Sequence, residues 1–172
     1  MQLTRYRTVD SPIGPLTVAG QNDALTNLVI DGAAHPPLER TGWVEDKEAF
    51  PDVVAQLSAY FAGQRTVFEV VLRPAGTSFQ RRVWAALCEI PYGETRSYGE
   101  IAASIGQRGA ARAVGLANAR NPIAVIVPCH RVIGADGSLA GYAGGLKAKR
   151  ALLDLERARA APPRASRSDS RR

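Results

Sequence analysis

Cysteine and histidine are scarce: two of each, Cys88, Cys129, His35 and His130, in 172 residues. Two cysteines allow one disulfide at most, which excludes a disulfide framework. The four side chains also lack zinc-ligand spacing, so no structural metal is expected. The opening MQLTRYRTVD lacks the apolar stretch of a secretory leader. No apolar run approaches the ~18 residues of a membrane span. These absences point to a cytoplasmic chain with free thiols and no membrane partner. The hydrophobic content of 45% fits an ordinary globular core.

Charge is unevenly placed. The net +6 divides into −3 over residues 1–76, +4 over residues 77–156 and +5 over residues 157–172. A basic second half behind an acidic first half points to a polyanion met only by the second half. A solvated surface with a loose basic tail accounts for the same totals.

Alternation and turn residues predict an α+β domain over residues 1–76. Residues 5–9, 15–20 and 24–32 read as an antiparallel meander punctuated by DSPIG and QND. Residues 32–50 are irregular. Val53, Val54, Leu57, Tyr60 and Phe61 fall at helical spacing before Gly63. TVFEVVL reads as a further strand and RPAG as a linker. The second half opens with TSFQ, a capping box with Thr77 as N-cap and Gln80 at N3. Its helix runs through Val83, Trp84, Leu87 and Ile90 to Pro91. SYGE repeats the device at Ser97 and Glu100, and AARAVGLANA follows after a glycine-bearing turn, a helix-turn-helix pattern. The helix LKAKRALLDLERAR precedes a basic tail of disordered composition. Trp43 and Trp84 read as core or interface aromatics, and His35 as a loop residue.

The chemistry centres on VIVPCHRVIG, residues 125–134. A thiolate is a far better nucleophile than a thiol, and an adjacent imidazole can take its proton directly or through a water. In an extended segment Cys129 and His130 point apart, so a water relay is expected. Glu156 shares the apolar face of Leu152 and Leu153, and a buried carboxylate needs a partner such as His130. The sulfur is then expected to be held ionised beside a cavity. A small core cysteine fits the same apolar run, as is expected for Cys88 in mid-helix.

PCHRVIG, with Asn121-Pro122, SYGEIA and GAARAVG upstream and GYAGGLKAKRALLDLE downstream, resembles the O6-alkylguanine-DNA alkyltransferase family. The likeness runs continuously from Thr77 to Glu156, and SPIGPLTVAG is similar to bacterial members. It implies a small RNase H-like α+β domain (1–76), a mainly helical DNA-binding and active-site domain (77–160) and a basic tail (161–172). It also implies a single-use reaction. Cys129 takes the alkyl group from O6-alkylguanine, or O4-alkylthymine, in double-stranded DNA, and no cofactor is needed because the protein is the acceptor.

Carried onto this chain, the resemblance has His130 deprotonating Cys129 through water, with Glu156 orienting the imidazole and Asn121 fixing the cysteine loop. Tyr98 donates toward guanine N3. The carbonyls of Cys129 and Val132 read the exocyclic amine, and amides around Ala143 and Gly144 face O6. Many relatives carry serine where this chain has Ala143. Arg112 resembles an arginine finger that fills the gap left by the flipped base. Tyr98, Gly99, Gln107 and Ala135 match DNA-touching positions, and Arg81, Arg82, Arg96 and Arg108 are further phosphate candidates. The helix AARAVGLANA has almost only small side chains, Arg112 and Asn118 being the long ones. It is expected to approach the minor groove closely while reading little sequence. The expected state in solution is a monomer, able to cluster on DNA. Two rival functions are a lesion-binding relative without transfer chemistry and a Cys-His-Glu hydrolase.

Overall fold

The computed structural model describes residues 2–33, 38–142 and 144–160. His35, Ala143 and the basic tail therefore lie outside the described residues. Strands β1 (Arg5–Val9), β2 (Leu16–Gln21) and β3 (Ala24–Ile30) form the expected antiparallel meander, with Arg5 opposite Gly20 and Leu16 opposite Ile30. β2, bonded on both sides, is buried from Leu16 to Gly20. The stretch read as irregular adds β4 (Val44–Glu45), parallel to β1, giving the order β3-β2-β1-β4.

TVFEVVL does not form the expected strand. Val67 and Val71 are 65% and 59% exposed, and only Leu72 bridges, to Leu25. The free edge of β3 is shared, because Leu28 pairs further along with Ile123 from the second half. Alternation reports a one-sided surface; it carries no information about whether an edge is free. The Leu28 N–H donates to the Pro122 carbonyl at 2.9 Å, and the Ala124 N–H to the Leu28 carbonyl at 2.9 Å. β3 thus joins the two halves beside the segment that leads to Cys129.

Helix α1 (Pro51–Phe61) begins on Pro51, whose fixed φ suits a first turn, and buries Val53, Leu57 and Tyr60. Helix α2 (Ser78–Cys88) opens on the complete Thr77–Gln80 capping box. It stops two residues before Ile90, since a residue preceding proline disfavours helical ψ. Val83, Trp84 and Leu87 form its buried stripe. Cys88 lies about 100° round from Leu87 and is exposed, so the packed cysteine expected there is not found. The Ser97 hydroxyl caps α3 (Tyr98–Ser104) by accepting from the Glu100 N–H, and α4 (Ala111–Ala119) follows across the turn. Strands β5 (Arg96–Ser97) and β6 (Val132–Ile133) pair in parallel, and α5 (Leu146–Ala160) closes the described chain.

Buried apolar residues from Leu16 to Leu152 make one contiguous core spanning both halves. Trp84 belongs to it, its indole donating to the Ala117 carbonyl at 2.8 Å, while Trp43 rests against Tyr6 at 6.1 Å between ring centres. Among the described residues no helix is long and apolar enough to cross a membrane.

Candidate active site

Two tight turns deliver Cys129. The Ile126 N–H donates to the Ala124 carbonyl at 2.8 Å around Val125, whose φ is 70°. This is a three-residue turn in a region that β-branched residues rarely enter. A second turn around Pro128 closes with the Cys129 N–H on the Val127 carbonyl at 2.8 Å. Asn121 ties the loop together. Its Nδ2 donates to the carbonyls of Val127 at 2.9 Å and Ile123 at 3.3 Å, while its Oδ1 accepts from the Ile123 N–H at 3.0 Å. Val125 is 1% exposed, so the surrounding core holds a conformation the residue would not choose alone.

Cys129–Arg131 is a single 3-10 turn, not the extended segment expected from the sequence. Consecutive side chains therefore fan around the turn, and both His130 and Arg131 reach α5. His130 Nε2 lies 2.7 Å from Glu156 Oε1. Arg131 grips the same carboxylate with two bonds, Nε to Oε2 at 2.9 Å and Nη2 to Oε1 at 2.9 Å, and donates to the Ile90 carbonyl at 2.7 Å. Tyr60 adds a fourth donor at 2.7 Å. Glu156 is 1% exposed and His130 0%. Burial favours a neutral Glu156, but the hydrogen bonds from His130 and Arg131 and the Arg131 charge win and pull its pKa down to about 2. Burial pushes the His130 pKa below its ordinary value, against the opposing pull of Glu156. A neutral imidazole beside an ionised carboxylate carries its proton on Nε2, which leaves Nδ1 as a free base. Nδ1 is buried and has no hydrogen-bond partner among the described residues.

The sulfur itself departs from expectation in two ways. Burial pushes the Cys129 thiol up to about 11, with Asn121 and Lys149 opposing, so it rests protonated rather than ionised. Nor does it line the cavity of about 880 Å³ beside its loop: Cys129 is 2% exposed, and that cavity is bounded by Ile30, Arg40, Asn121, Ala124 and Gly144 among the described residues. A cysteine in an apolar run pays desolvation whatever its neighbours, and the sequence did not show how complete the burial would be.

The chain that carries this thiol, imidazole and carboxylate is similar to known proteins over almost its whole length. The model of the 6-O-methylguanine DNA methyltransferase DNA-binding domain matches residues 78–158, and that of its ribonuclease-like domain matches residues 4–74. The chain belongs to this family. The methylated-DNA–protein-cysteine methyltransferase of Mycobacterium tuberculosis strain H37Rv is 63% identical over 158 residues, 92% of this chain and 95% of that one. The crystal structure of the M. tuberculosis O6-methylguanine methyltransferase superposes with a TM-score of 0.87 at 62% identity, covering 94% and 96% of the two chains. A structure of the M. tuberculosis protein in complex with DNA matches with a TM-score of 0.86 at 62% identity, covering 92% and 96%.

Within this family member, several residues at the site escaped the sequence reading. Lys149 is fully buried, and its Nζ donates to the carbonyls of Val132 at 2.6 Å and Ala140 at 3.1 Å. It stands seven residues before Glu156 on α5, two helical turns along the same face, so helical spacing could have found it. Asn118, with Arg112 one of the two long side chains of the helix expected to approach DNA, is instead 1% exposed and donates to the Cys129 carbonyl at 3.4 Å. Its position between buried Val114 and Ala117 and the next turn turns it inward. Tyr142 is buried, and its phenol pKa is raised by burial and by Cys129 close by. Tyr98 is half-buried beside Gly115, and its phenol donates to the Ala140 carbonyl at 3.0 Å. Gly144 is required by space, since a Cβ there would lie 2.4 Å from Ile30 and 2.7 Å from the Tyr142 ring.

The residues assigned to DNA are on the surface: Gly99, Gln107, Arg112 and Ala135 are all exposed. Arg112 takes part in no ion pair among the described residues, whereas Arg96 pairs with Glu94 at 3.6 Å and Arg82 donates to the Ile105 carbonyl.

Proposed function

We propose that this chain is a DNA-repair alkyltransferase that moves the alkyl group of O6-alkylguanine, and of O4-alkylthymine, in double-stranded DNA onto Cys129. The observation that carries the reading is the Glu156 carboxylate on His130 Nε2 at 2.7 Å, which leaves Nδ1 free one residue from the thiol. The Cys129 proton passes through a water to Nδ1, and the imidazolium that forms is stabilised by Glu156. The sulfur attacks the alkyl carbon; a carbon–sulfur bond forms as the carbon–O6 bond breaks, and its electron pair stays with the guanine. Tyr98, released from Ala140, donates toward N3 and neutralises that developing charge. The family likeness assigns the amides around Ala143 and Gly144 to O6, and the carbonyls of Cys129 and Val132 to the exocyclic amine. The thioether has no route back, so each molecule acts once and no cofactor takes part. A thiol near 11 suits this use, because it is ionised by its base when the substrate is in place and stays inert otherwise.

The test is the mass of the tryptic peptide NPIAVIVPCHR after incubation with methylated duplex. One methyl per chain, retained on Cys129, is the expected outcome. An unmodified peptide with retained binding would favour a lesion-binding protein without transfer, and product beyond one equivalent would favour a hydrolase.

Arg112, exposed near the start of α4, fills the space the everted base leaves. Extrusion costs a few kcal/mol, so Arg112→Ala should slow repair of duplex about tenfold or more. Reaction with free alkylguanine should stay within about twofold of wild type, because no base needs extruding there. Single-turnover rates on the two substrates decide it, and equal losses would remove Arg112 from base flipping. The protein acts as a monomer in the cytoplasm, and the binding should weaken steeply with salt because phosphate contacts dominate.

A further inference from the structure

We propose that Tyr60, supplied by the first domain, is a positioning residue of the transfer reaction that limits how strongly Glu156 charges His130. The inference rests on the reading of His130 as the base for Cys129. Tyr60 lies on α1, 96 positions before Glu156, and its phenol donates to Glu156 Oε1 at 2.7 Å from a side chain that is 0% exposed. The same oxygen accepts from His130 Nε2 at 2.7 Å and from Arg131 Nη2 at 2.9 Å. The other oxygen takes Arg131 Nε at 2.9 Å and the Gly93 N–H at 3.5 Å.

A carboxylate oxygen offers two lone pairs, so three donors on Oε1 compete for its charge. Every share drawn by the phenol is charge that His130 does not feel. The balance matters because the imidazole must be neutral at rest and still accept a proton from a thiol near 11. A carboxylate with only His130 as partner would protonate the imidazole and remove the base. The phenol remains a donor throughout, since burial and Glu156 push its own pKa far above the ordinary tyrosine value. The other titratable groups around this carboxylate and its imidazole are Tyr92 after α2, Arg131 of the 3-10 turn, Tyr142 before α5 and Lys149 on α5 itself, with Cys129 beside Tyr142 and Lys149. Tyr60 alone among them is a neutral donor that sits on Oε1, and it comes from the domain that otherwise holds none of the chemistry. Phe61, Phe68 and Tyr92 ring it at 5.3, 5.2 and 6.2 Å between centres, which fixes its direction.

The full-length chain tests this with two replacements at position 60. Tyr60→Phe removes the donor, and site-specific 3,5-difluorotyrosine keeps the hydroxyl but makes it a stronger donor. His130 is followed by imidazole NMR titration, which is tractable because the chain has two histidines; His35→Asn assigns the signals. Without the phenol the His130 pKa should rise by about half a unit or more, and the acid limb of the transfer rate should move up with it. The fluorinated phenol should move both the opposite way. An unchanged titration and acid limb in both proteins, with only a lowered melting temperature, would overturn the proposal and leave Tyr60 as a core tyrosine. If the phenylalanine protein fails to fold, the fluorinated one still decides by the sign of its shift. Wild-type transfer rates in His130→Ala and Glu156→Gln would instead overturn the base reading itself, so the two failures are distinguishable.

Discussion

Glu156→Ala is expected to cost about 3–5 kcal/mol of stability, against the ~5–15 kcal/mol that holds a typical domain. The reason lies in what is left behind. Arg131 is 7% exposed and loses the acceptor of two of its bonds, while the Tyr60 phenol and the His130 N–H lose theirs. Water cannot replace the carboxylate at 1% exposure without opening the packing of α5. Urea denaturation should show a lower midpoint at an unchanged slope. Glu156→Gln keeps the shape and some of the bonds, so it should fold with a smaller loss and isolate the effect on transfer.

The same carboxylate gives a pH signature. Its folded pKa of about 2 lies below the ordinary 4.5, so it contributes stability above 4.5 that is lost as pH falls from 4.5 through 2. His130, depressed in the folded state from 6.5, acts in the same direction, since the unfolded chain binds its proton first. Wild-type stability should therefore begin to fall below about pH 6.5 and fall further below 4.5. In Glu156→Gln the second decline should be much reduced.

Cys129→Ser should bring transfer to background while leaving duplex binding within about threefold of wild type. The hydroxyl is a poorer nucleophile and far harder to ionise at 2% exposure, where burial already holds even the thiol up to about 11. The residues proposed to bind DNA lie on the exposed face of α3 and α4 and the turn between them, which the substitution does not touch. A hydroxyl in this apolar turn costs about 1–3 kcal/mol, a loss the melting curve should record without a change in cooperativity. Transfer that persisted in the serine protein would move the nucleophile elsewhere, and exposed Cys88 would be the first place to look.

Much of the fold was legible because its signals are local. The Thr77–Gln80 and Ser97 caps, the meander of β1 to β3 and the buried stripe of α1 all depend on neighbours within a few residues. The pairing of Glu156 with His130 was also readable, since helical spacing places that carboxylate on the face of Leu152 and Leu153. Lys149 obeys the same spacing and went unread only because a lysine is expected at the surface. TVFEVVL failed for a different reason: its alternation is genuine, but the edge it would occupy is taken at Leu28 by Ile123.

By itself, then, the sequence determined the elements, the thiol, its imidazole and the carboxylate opposite them, all of which follow from periodicity, capping and adjacency. Tertiary structure decided their chemical state. The Cys129 thiol rests protonated because the packed core excludes water from it, and Asn118 faces inward because α4 packs on α2. Tyr60 reaches Glu156 across 96 residues because α1 and α5 share one core, and no local pattern encodes a contact of that range. Proton affinity and partner choice depend on desolvation and on which donors converge on an atom, and the folded chain sets both.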